Sequence, residues 1–472
     1  MTDPTPDSPE SLRTAADAAG RPRTRRRPWA AQHGLRPAML ALAFLALAAA
    51  PLALSALAYP LAPRSWWDDA ASGLGIAAFA ALLLAFALSG RYERITGRLG
   101  VDWTLRLHRW LAYAILPATA LHPFLYTDPD SGGPWFAGAD PTLPVGLLSL
   151  VTGMGAYILL AAMVITALDR DTLPVRYETW RRLHAVGALM LAGLIALHAF
   201  TASGYSAHPA VAAFWGVLLV AAAASLIGVH VVRPWRQWRA PYVVETVDKV
   251  GADTWELRLR PRAGRGTHSA LTFRPGQFVW LKLGGGPFGA DDHPFSIATA
   301  PEDAPTIGFT IREKGDFTKA IGRCRPGTPA YLDGPHGHFV PDEAEVPTVY
   351  IAGGVGIGPV LGHLRTFRAE GDNRPITLIY ASASPAEIAE RAELDALAGE
   401  LNLTIHYVVR APDAAWRGRT GRITRDLLDA TLPVQGRADC RYFVCGGETL
   451  EAAVYRDLRA LGIPARRIVV GS

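Results

Sequence analysis

The stretch LRLHRWLAYAILPATALHPFLY, residues 105–126, decides how this chain is read. It is long and apolar enough to cross a hydrocarbon core, which takes about 20 residues of helix. Yet it carries His108 and His122. Fourteen residues at about 100° each fall about 40° short of four full turns and rise roughly 21 Å. One helix face therefore presents a histidine near each side of a bilayer. Residues 183–201, LHAVGALMLAGLIALHAFT, repeat the arrangement with His184 and His198.

Working outward, six stretches qualify as spans: approximately Pro37 to Leu61, Gly73 to Ser89, Leu105 to Tyr126, Val145 to Ala167, Leu183 to Thr201 and Val211 to Val232. The second is short. The third holds Arg106 and Arg109, which belong near an interface, since an arginine at mid-bilayer costs about 2.5–3.5 kcal/mol on insertion scales. Hydrophobic residues make up 50% of the 472 and charged residues 19%. The apolar excess lies before residue 233 and most of the charge after it, so a membrane half precedes a soluble half.

Arginines orient the spans. Seven lie in residues 1–36, Arg91, Arg94 and Arg98 in the next loop on that side, and Arg170, Arg176, Arg181 and Arg182 in residues 168–182. The alternate loops hold Arg64 against Asp68, Asp69, Asp128, Asp130 and Asp140. The positive-inside bias puts both termini in the cytoplasm of a cell-membrane protein. The formal charge of +5 comes largely from these flanking arginines, which argues against nucleic acid as a partner. Residues 1–36 read as a disordered basic tail. The small residues Ser55, Ala56 and Ala58 before Tyr59 also resemble a secretory cleavage site, but the apolar run exceeds a usual signal core, so it is taken as an uncleaved span.

The third and fifth spans run in the same direction, so His108 lies level with His184 and His122 with His198. A single membrane histidine is as readily a packing or hydrogen-bonding residue. Equal spacing on two helices, with 13 histidines in the whole chain, points instead to two b-type haems, each held by two neutral imidazoles. Arg109, Arg181 and Arg182 flank the inner pair and could meet haem propionates. An ion-coupled transporter also places histidines in the membrane, but it needs no flavin unit.

The soluble half opens with short alternating strands, Tyr242 to Val247, Thr254 to Arg260 and Gln277 to Leu283, read as an antiparallel barrel ending near Pro341. Then Thr348 to Ala352, Ile376 to Ala381, Leu403 to Val409 and Arg441 to Cys445 alternate with helical segments, as in a doubly wound α/β sheet. The first of these strands runs into Gly353-Gly354-Val355-Gly356-Ile357-Gly358-Pro359. Such a turn lets backbone amides and a helix N-terminus receive a pyrophosphate, and the proline suits a first helical position. The domains are therefore expected at 37–233, 240–344 and 345–472. Cys324, Cys440 and Cys445 show no cluster spacing and fit a reducing compartment.

Two further motifs, His293-Pro294-Phe295-Ser296 and Gly315-Asp316-Phe317-Thr318, make the whole resemble one family. From about residue 70 the chain resembles the NADPH oxidase and ferric reductase superfamily, a six-helix haem domain joined to a ferredoxin-reductase-like module. The resemblance implies that His293 approaches the FAD pyrophosphate, Phe295 stacks on the isoalloxazine and Ser296 bonds near its reactive nitrogen. It implies a second FAD phosphate contact at Gly315 to Thr318. Cys445-Gly446-Gly447 resembles the family's Cys-Gly-Pro segment beside the nicotinamide, with glycine in place of proline, and a buried structural cysteine is the other reading. Gly334-Pro335-His336-Gly337 resembles the turn that ends the barrel. Val470-Gly471-Ser472 lacks the aromatic residue that often covers the flavin, and Ser382-Ala383-Ser384 lacks a common arginine, leaving Arg391 or Arg410 for a 2′-phosphate. The expected activity is NAD(P)H-driven electron transfer across the bilayer to a small acceptor, ferric iron or molecular oxygen. A haem-containing membrane component that passes electrons to a protein partner is the alternative.

Overall fold

A computed structural model describes residues 35–58, 66–90, 101–126, 146–202, 204–263, 271–289, 291–341, 346–433 and 436–471. The basic tail, the Tyr59 site, Arg64, Arg91, Arg94, Arg98, Asp128, Asp130 and Asp140 lie outside the described residues. The membrane half contains α1 (Leu35–Ala58), α2 (Trp66–Leu88), α3 (Val101–Leu121), α4 (Leu147–Leu168), α5 (Tyr177–Ala202) and α6 (Pro209–Ile227). Among the described residues, five helices are long and apolar enough to cross a membrane; α3 falls outside that set. Its polar first turns, with Arg106, His108 and Arg109, lower its hydropathy. The second span proves longer than expected, because α2 begins at Trp66 and takes Asp68 and Asp69 into its first turn.

Apolar residues on all sides of a helix fit burial in a bilayer. Leu83, Leu191 and Trp215 are buried in the bundle, whereas Leu147, Val217 and Val220 are 76%, 67% and 69% exposed and would face lipid. The Trp215 ring lies 4.7 Å from Phe79. The Ser225 hydroxyl donates to the Phe86 carbonyl at 3.0 Å, tying α6 to α2. A π-turn, Gly228–Val232, then leads into α7 (Arg233–Arg239) and directly to the first strand.

That strand, β1 (Tyr242–Gly251), joins β2 (Thr254–Pro261), β3 (Phe278–Leu283), β4 (His293–Ser296), β5 (Ile307–Arg312) and β6 (Pro329–His336). The antiparallel order is β4-β3-β6-β1-β2-β5, a curled half-barrel. Alternation supplies its core: Leu257, Leu259, Val279, Leu281, Phe309 and Ile311 all point inward.

The second sheet holds β7 (Thr348–Gly353), β8 (Ile376–Ser382), β9 (Leu403–Val409), β10 (Arg419–Thr420), β11 (Arg441–Cys445) and β12 (Ile468–Gly471). The parallel order is β10-β9-β8-β7-β11-β12. Its helices are α8 (Ile357–Glu370), α9 (Arg391–Glu400), α10 (Arg425–Thr431) and α11 (Glu448–Ala460). The chain leaves β7 in one direction and returns to β11 on its other side. That reversal opens a crevice at the carboxyl ends of β7 and β11, where open α/β sheets bind ligands.

Arg365 of α8 ties the two sheets together. Its guanidinium lies 3.0 Å from Glu256 of β2 and 2.5 Å from Glu393 of α9, and it donates to the Ala298 carbonyl at 3.0 Å. Removing one partner of a buried ion pair typically costs about 3–5 kcal/mol, because the other charge stays buried alone. Arg365→Met is therefore expected to destabilise the reductase half by about that amount. Denaturant titration of the purified protein, followed by tryptophan fluorescence, checks it; an unchanged midpoint would contradict the assignment.

Candidate functional site

The four membrane histidines come together as expected, in two pairs. Ring centroids of His108 and His184 lie 6.5 Å apart at an interplanar angle of 69°. Those of His122 and His198 lie 6.3 Å apart at 87°. A metal–imidazole bond is about 2 Å. Two such bonds in line, plus the half-widths of two five-membered rings, give a separation of this size. Among the described residues, no group of three or more His, Cys, Asp or Glu side chains forms a metal cage. Paired imidazoles suit a metal whose remaining ligands come from a macrocycle, so the residues present fit a haem at each level.

The outer pair is held by a device that occurs twice. The His122 Nδ1 lies 2.6 Å from the Ala71 carbonyl oxygen. The His198 Nδ1 lies 2.8 Å from the Ser149 carbonyl oxygen and 3.2 Å from its hydroxyl. A carbonyl can only accept, so each Nδ1 carries the proton and each Nε2 keeps its lone pair for a metal. One turn along each supporting helix sits a glycine. A Cβ at Gly75 would come within 2.7 Å of the His122 ring, and one at Gly153 within 2.8 Å of the His198 ring. Ala71–Gly75 on α2 and Ser149–Gly153 on α4 are thus equivalent supports.

The inner pair is supported differently. Ala85, fourteen residues along α2 from Ala71, lies against His108. The His184 Nδ1 is buried with no partner. The Trp180 ring lies 5.1 Å from His184, and Arg170 lies over Tyr177 and Trp180 at 4.7 and 5.7 Å. Of the three arginines expected at the inner haem edge, Arg109 and Arg182 are exposed, whereas Arg181 forms a salt bridge to Asp292 instead.

In the soluble half the two flavin-type motifs converge. His293, Pro294, Phe295 and Ser296 are the edge strand β4, paired to β3. Gly315 precedes a one-turn helix, Asp316–Lys319, that carries Phe317 and Thr318. The Phe317 ring lies 4.2 Å from His293 and 5.9 Å from Phe295, stacked on the latter at 21°. The Thr318 hydroxyl accepts from the Lys314 and Gly315 amides, fixing the turn. Burial lowers the His293 pKa, so its imidazole is neutral at pH 7.

The glycine turn and the cysteine segment also meet. Gly353 ends β7, Gly354, Val355 and Gly356 form a 3₁₀ turn, and Ile357, Gly358 and Pro359 open α8. Pro359 is therefore the third helical residue rather than the first, still among those whose N–H has no helical partner. A Cβ at Gly356 would lie 2.3 Å from the Cys445 carbonyl oxygen, so only glycine lets the turn close on β11. Gly446 and Gly447 lead into α11, with the Gly446 amide donating to Glu451 at 3.1 Å. Farther along the strand ends, a cleft of about 580 Å³ is lined by Arg391, Tyr407, Trp416, Arg417 and Arg419 among others.

Comparison with known proteins accords with these two halves. Residues 74–195 match the ferric reductase like transmembrane component family. Residues 350–456 match the oxidoreductase NAD-binding domain family. The chain thus joins a segment similar to a ferric reductase like transmembrane component to one similar to an oxidoreductase NAD-binding domain. NADH-cytochrome b5 reductase 1 of Laccaria bicolor is 30% identical over 156 residues, which are 32% of this chain and 51% of that protein. NADH-cytochrome b5 reductase 1 of Pyricularia oryzae is 30% identical over 188 residues, 39% of this chain and 58% of that one. The chain thus spans little more than half the length of these relatives. The flavohemoglobin of Malassezia yamatoensis, solved with FAD and heme, aligns over 86% of this chain and 98% of its own at 18% identity and a TM-score of 0.47.

Sequence reading missed Ala71, Gly75, Ser149, Gly153 and Asp292. The first four carry a signal, small residues four apart on one helix face, which allows close helix approach. Asp292 carries none, because its partner lies 111 residues away.

Burial, then the neighbouring Glu451 carboxylate, pushes the Cys445 thiol up from its ordinary value. Only the thiolate alkylates readily. Iodoacetamide at pH 8 should therefore label Cys445 at least about tenfold more slowly in the native protein than in the unfolded chain. Mass spectrometry of labelled peptides checks this; equal rates would contradict it.

Proposed function

We propose that this protein is a transmembrane oxidoreductase. It moves electrons from cytoplasmic NAD(P)H through FAD and two bis-histidine b-type haems to an acceptor on the outer side, ferric iron or molecular oxygen. The observation that carries the reading is the matched pair of imidazole pairs, His108 of α3 with His184 of α5, and His122, in the 3₁₀ turn His122–Tyr126 that follows α3, with His198 of α5. When bound, FAD would supply the conversion of a two-electron hydride into single electrons, and the haems would supply one-electron carriers. The hydride's proton stays on the cytoplasmic side, so only charge crosses. Everything else falls to the residues of the chain.

His122 and His198 would hold the outer haem, and His108 and His184 the inner one. Ala71 and Ser149 fix the outer imidazole tautomers, and Gly75 and Gly153 keep the rings where they are. At the flavin, Phe295 and Phe317 would form an aromatic platform beside His293, with Pro294 and Ser296 on the same edge strand. Gly315, Asp316 and Thr318 shape the facing turn. The Gly353 to Pro359 turn would take the nucleotide pyrophosphate at the start of α8. Cys445, a neutral thiol, would lie beside the nicotinamide with Gly446 and Gly447. The cleft at Arg391, Arg417 and Arg419 would take the adenosine end, and its three cations favour the additional phosphate of NADPH.

The arginines of residues 168–182, with Arg233, Arg236 and Arg239 at the same end, support an orientation in the cell membrane with the reductase half on the cytoplasmic side. In that orientation the six spans leave both termini inside. The acidic outer face, with Asp68 and Asp69, weakly favours a cationic acceptor by attraction.

Purified protein should show a low-spin b-type spectrum with two haems per chain. His122→Ala and His198→Ala should each lower haem content to about half. Gly153→Leu should do the same without altering a ligand, because its side chain would occupy the place of the His198 ring. Haem content by pyridine haemochrome is the measurement. Unaltered protein that takes up no haem would overturn the proposal.

A further inference from the structure

Between the two halves runs a charged seam, and its central contact joins the two redox segments directly. The Arg181 guanidinium pairs with the Asp292 carboxylate, Nη1 to Oδ1 and, at 3.4 Å, Nη2 to Oδ2. Arg181 stands three residues before His184 on α5, and Asp292 immediately precedes His293 of β4. A second tether lies along the same seam. Arg233, at the start of α7, bonds the Gly90 carbonyl beyond α2 at 2.5 Å and lies 3.6 Å from Asp333 of β6.

We infer that the Arg181–Asp292 bridge is a positioning contact, setting how closely the flavin edge of β4 approaches the His108–His184 pair. The inference rests on the electron path proposed above. Three observations carry it. Asp292 is only 6% exposed, so its charge is tolerable only with a partner held in place. A two-pronged guanidinium–carboxylate pair fixes direction as well as distance, which an apolar seam does not. And both partners sit within one helical turn or one residue of the segments they would align, so any slack at the bridge appears in the gap between them. Arg233 and Asp333 anchor the same sheet at a second point, which prevents rotation about the first.

In Asp292→Asn and in Arg181→Gln the two segments remain but the charged contact is lost. The full-length protein, loaded with FAD and haem in lipid nanodiscs, is mixed with NADPH in three assays. The first is reduction of a soluble dye that takes electrons from the flavin half. The second is the stopped-flow rise of reduced b-type absorbance. The third is amide hydrogen exchange at His293–Ser296. The expected result is native dye reduction, a haem reduction rate lower by several-fold, and faster exchange in β4. The reversed pair, Arg181→Asp with Asp292→Arg, should recover much of the haem rate and of the protection. Native haem reduction in both single variants would overturn the inference. So would dye reduction that falls in step with it, because the residues would then serve the flavin half alone. Unaltered protein without b-type absorbance would overturn the electron path itself, and hydrogen exchange would still report separately whether the bridge holds β4.

Discussion

Everything in the membrane half depends on imidazole rings being held face to edge between two helices that do not otherwise need to be so ordered. The Nδ1 protons of His122 and His198 are taken by the carbonyls of Ala71 and Ser149. A helical carbonyl can reach a side chain on a neighbouring helix only if the two backbones come close. Gly75 and Gly153 permit that approach, and the rings fill the space a side chain would need. In a bilayer, where apolar contact gives little net drive between helices, such close packing and hydrogen bonding is what holds a bundle in register. The same constraint selects the tautomer, leaving each Nε2 lone pair for a metal.

The soluble half answers a different requirement, which is to bring two unlike ligands to one crevice. The switch between β7 and β11 puts the glycine turn against Cys445, although about ninety residues of chain separate them. The half-barrel supplies the opposite wall, and Arg365 holds the two sheets at a fixed angle through Glu256 and Glu393. The aromatic group of His293, Phe295 and Phe317 then lies at the sheet edge nearest the membrane, where Asp292 meets Arg181. The proposed path for electrons would follow these contacts, from the nucleotide crevice to the edge strand to the end of α5.

Much of this was legible in the chain, and the exceptions have physical reasons. Strands with alternating or continuous apolar runs, such as Leu403–Val409 and Arg441–Cys445, end where their composition ends. The histidine pairs were legible because helical periodicity turns a spacing into a face. The third span was the poorest match to a hydropathy rule, since the residues that make it interesting are the polar ones. The carbonyl supports at Ala71 and Ser149 leave no mark in residue chemistry, because any residue has a carbonyl. Arg181 was read as a cation that could meet a haem propionate; its pairing with Asp292 depends on docking of distant segments, which local pattern does not encode.

The central claim is sided electron transfer, and sealed vesicles test it most directly. With the protein oriented cytoplasmic face inward and NADPH enclosed, an impermeant ferric acceptor is added outside. The account requires reduction outside, faster when a potassium ionophore relieves the charge that electrons carry across, and abolished by His198→Ala. Reduction confined to acceptor enclosed with the nucleotide, equal in His198→Ala vesicles, would contradict it.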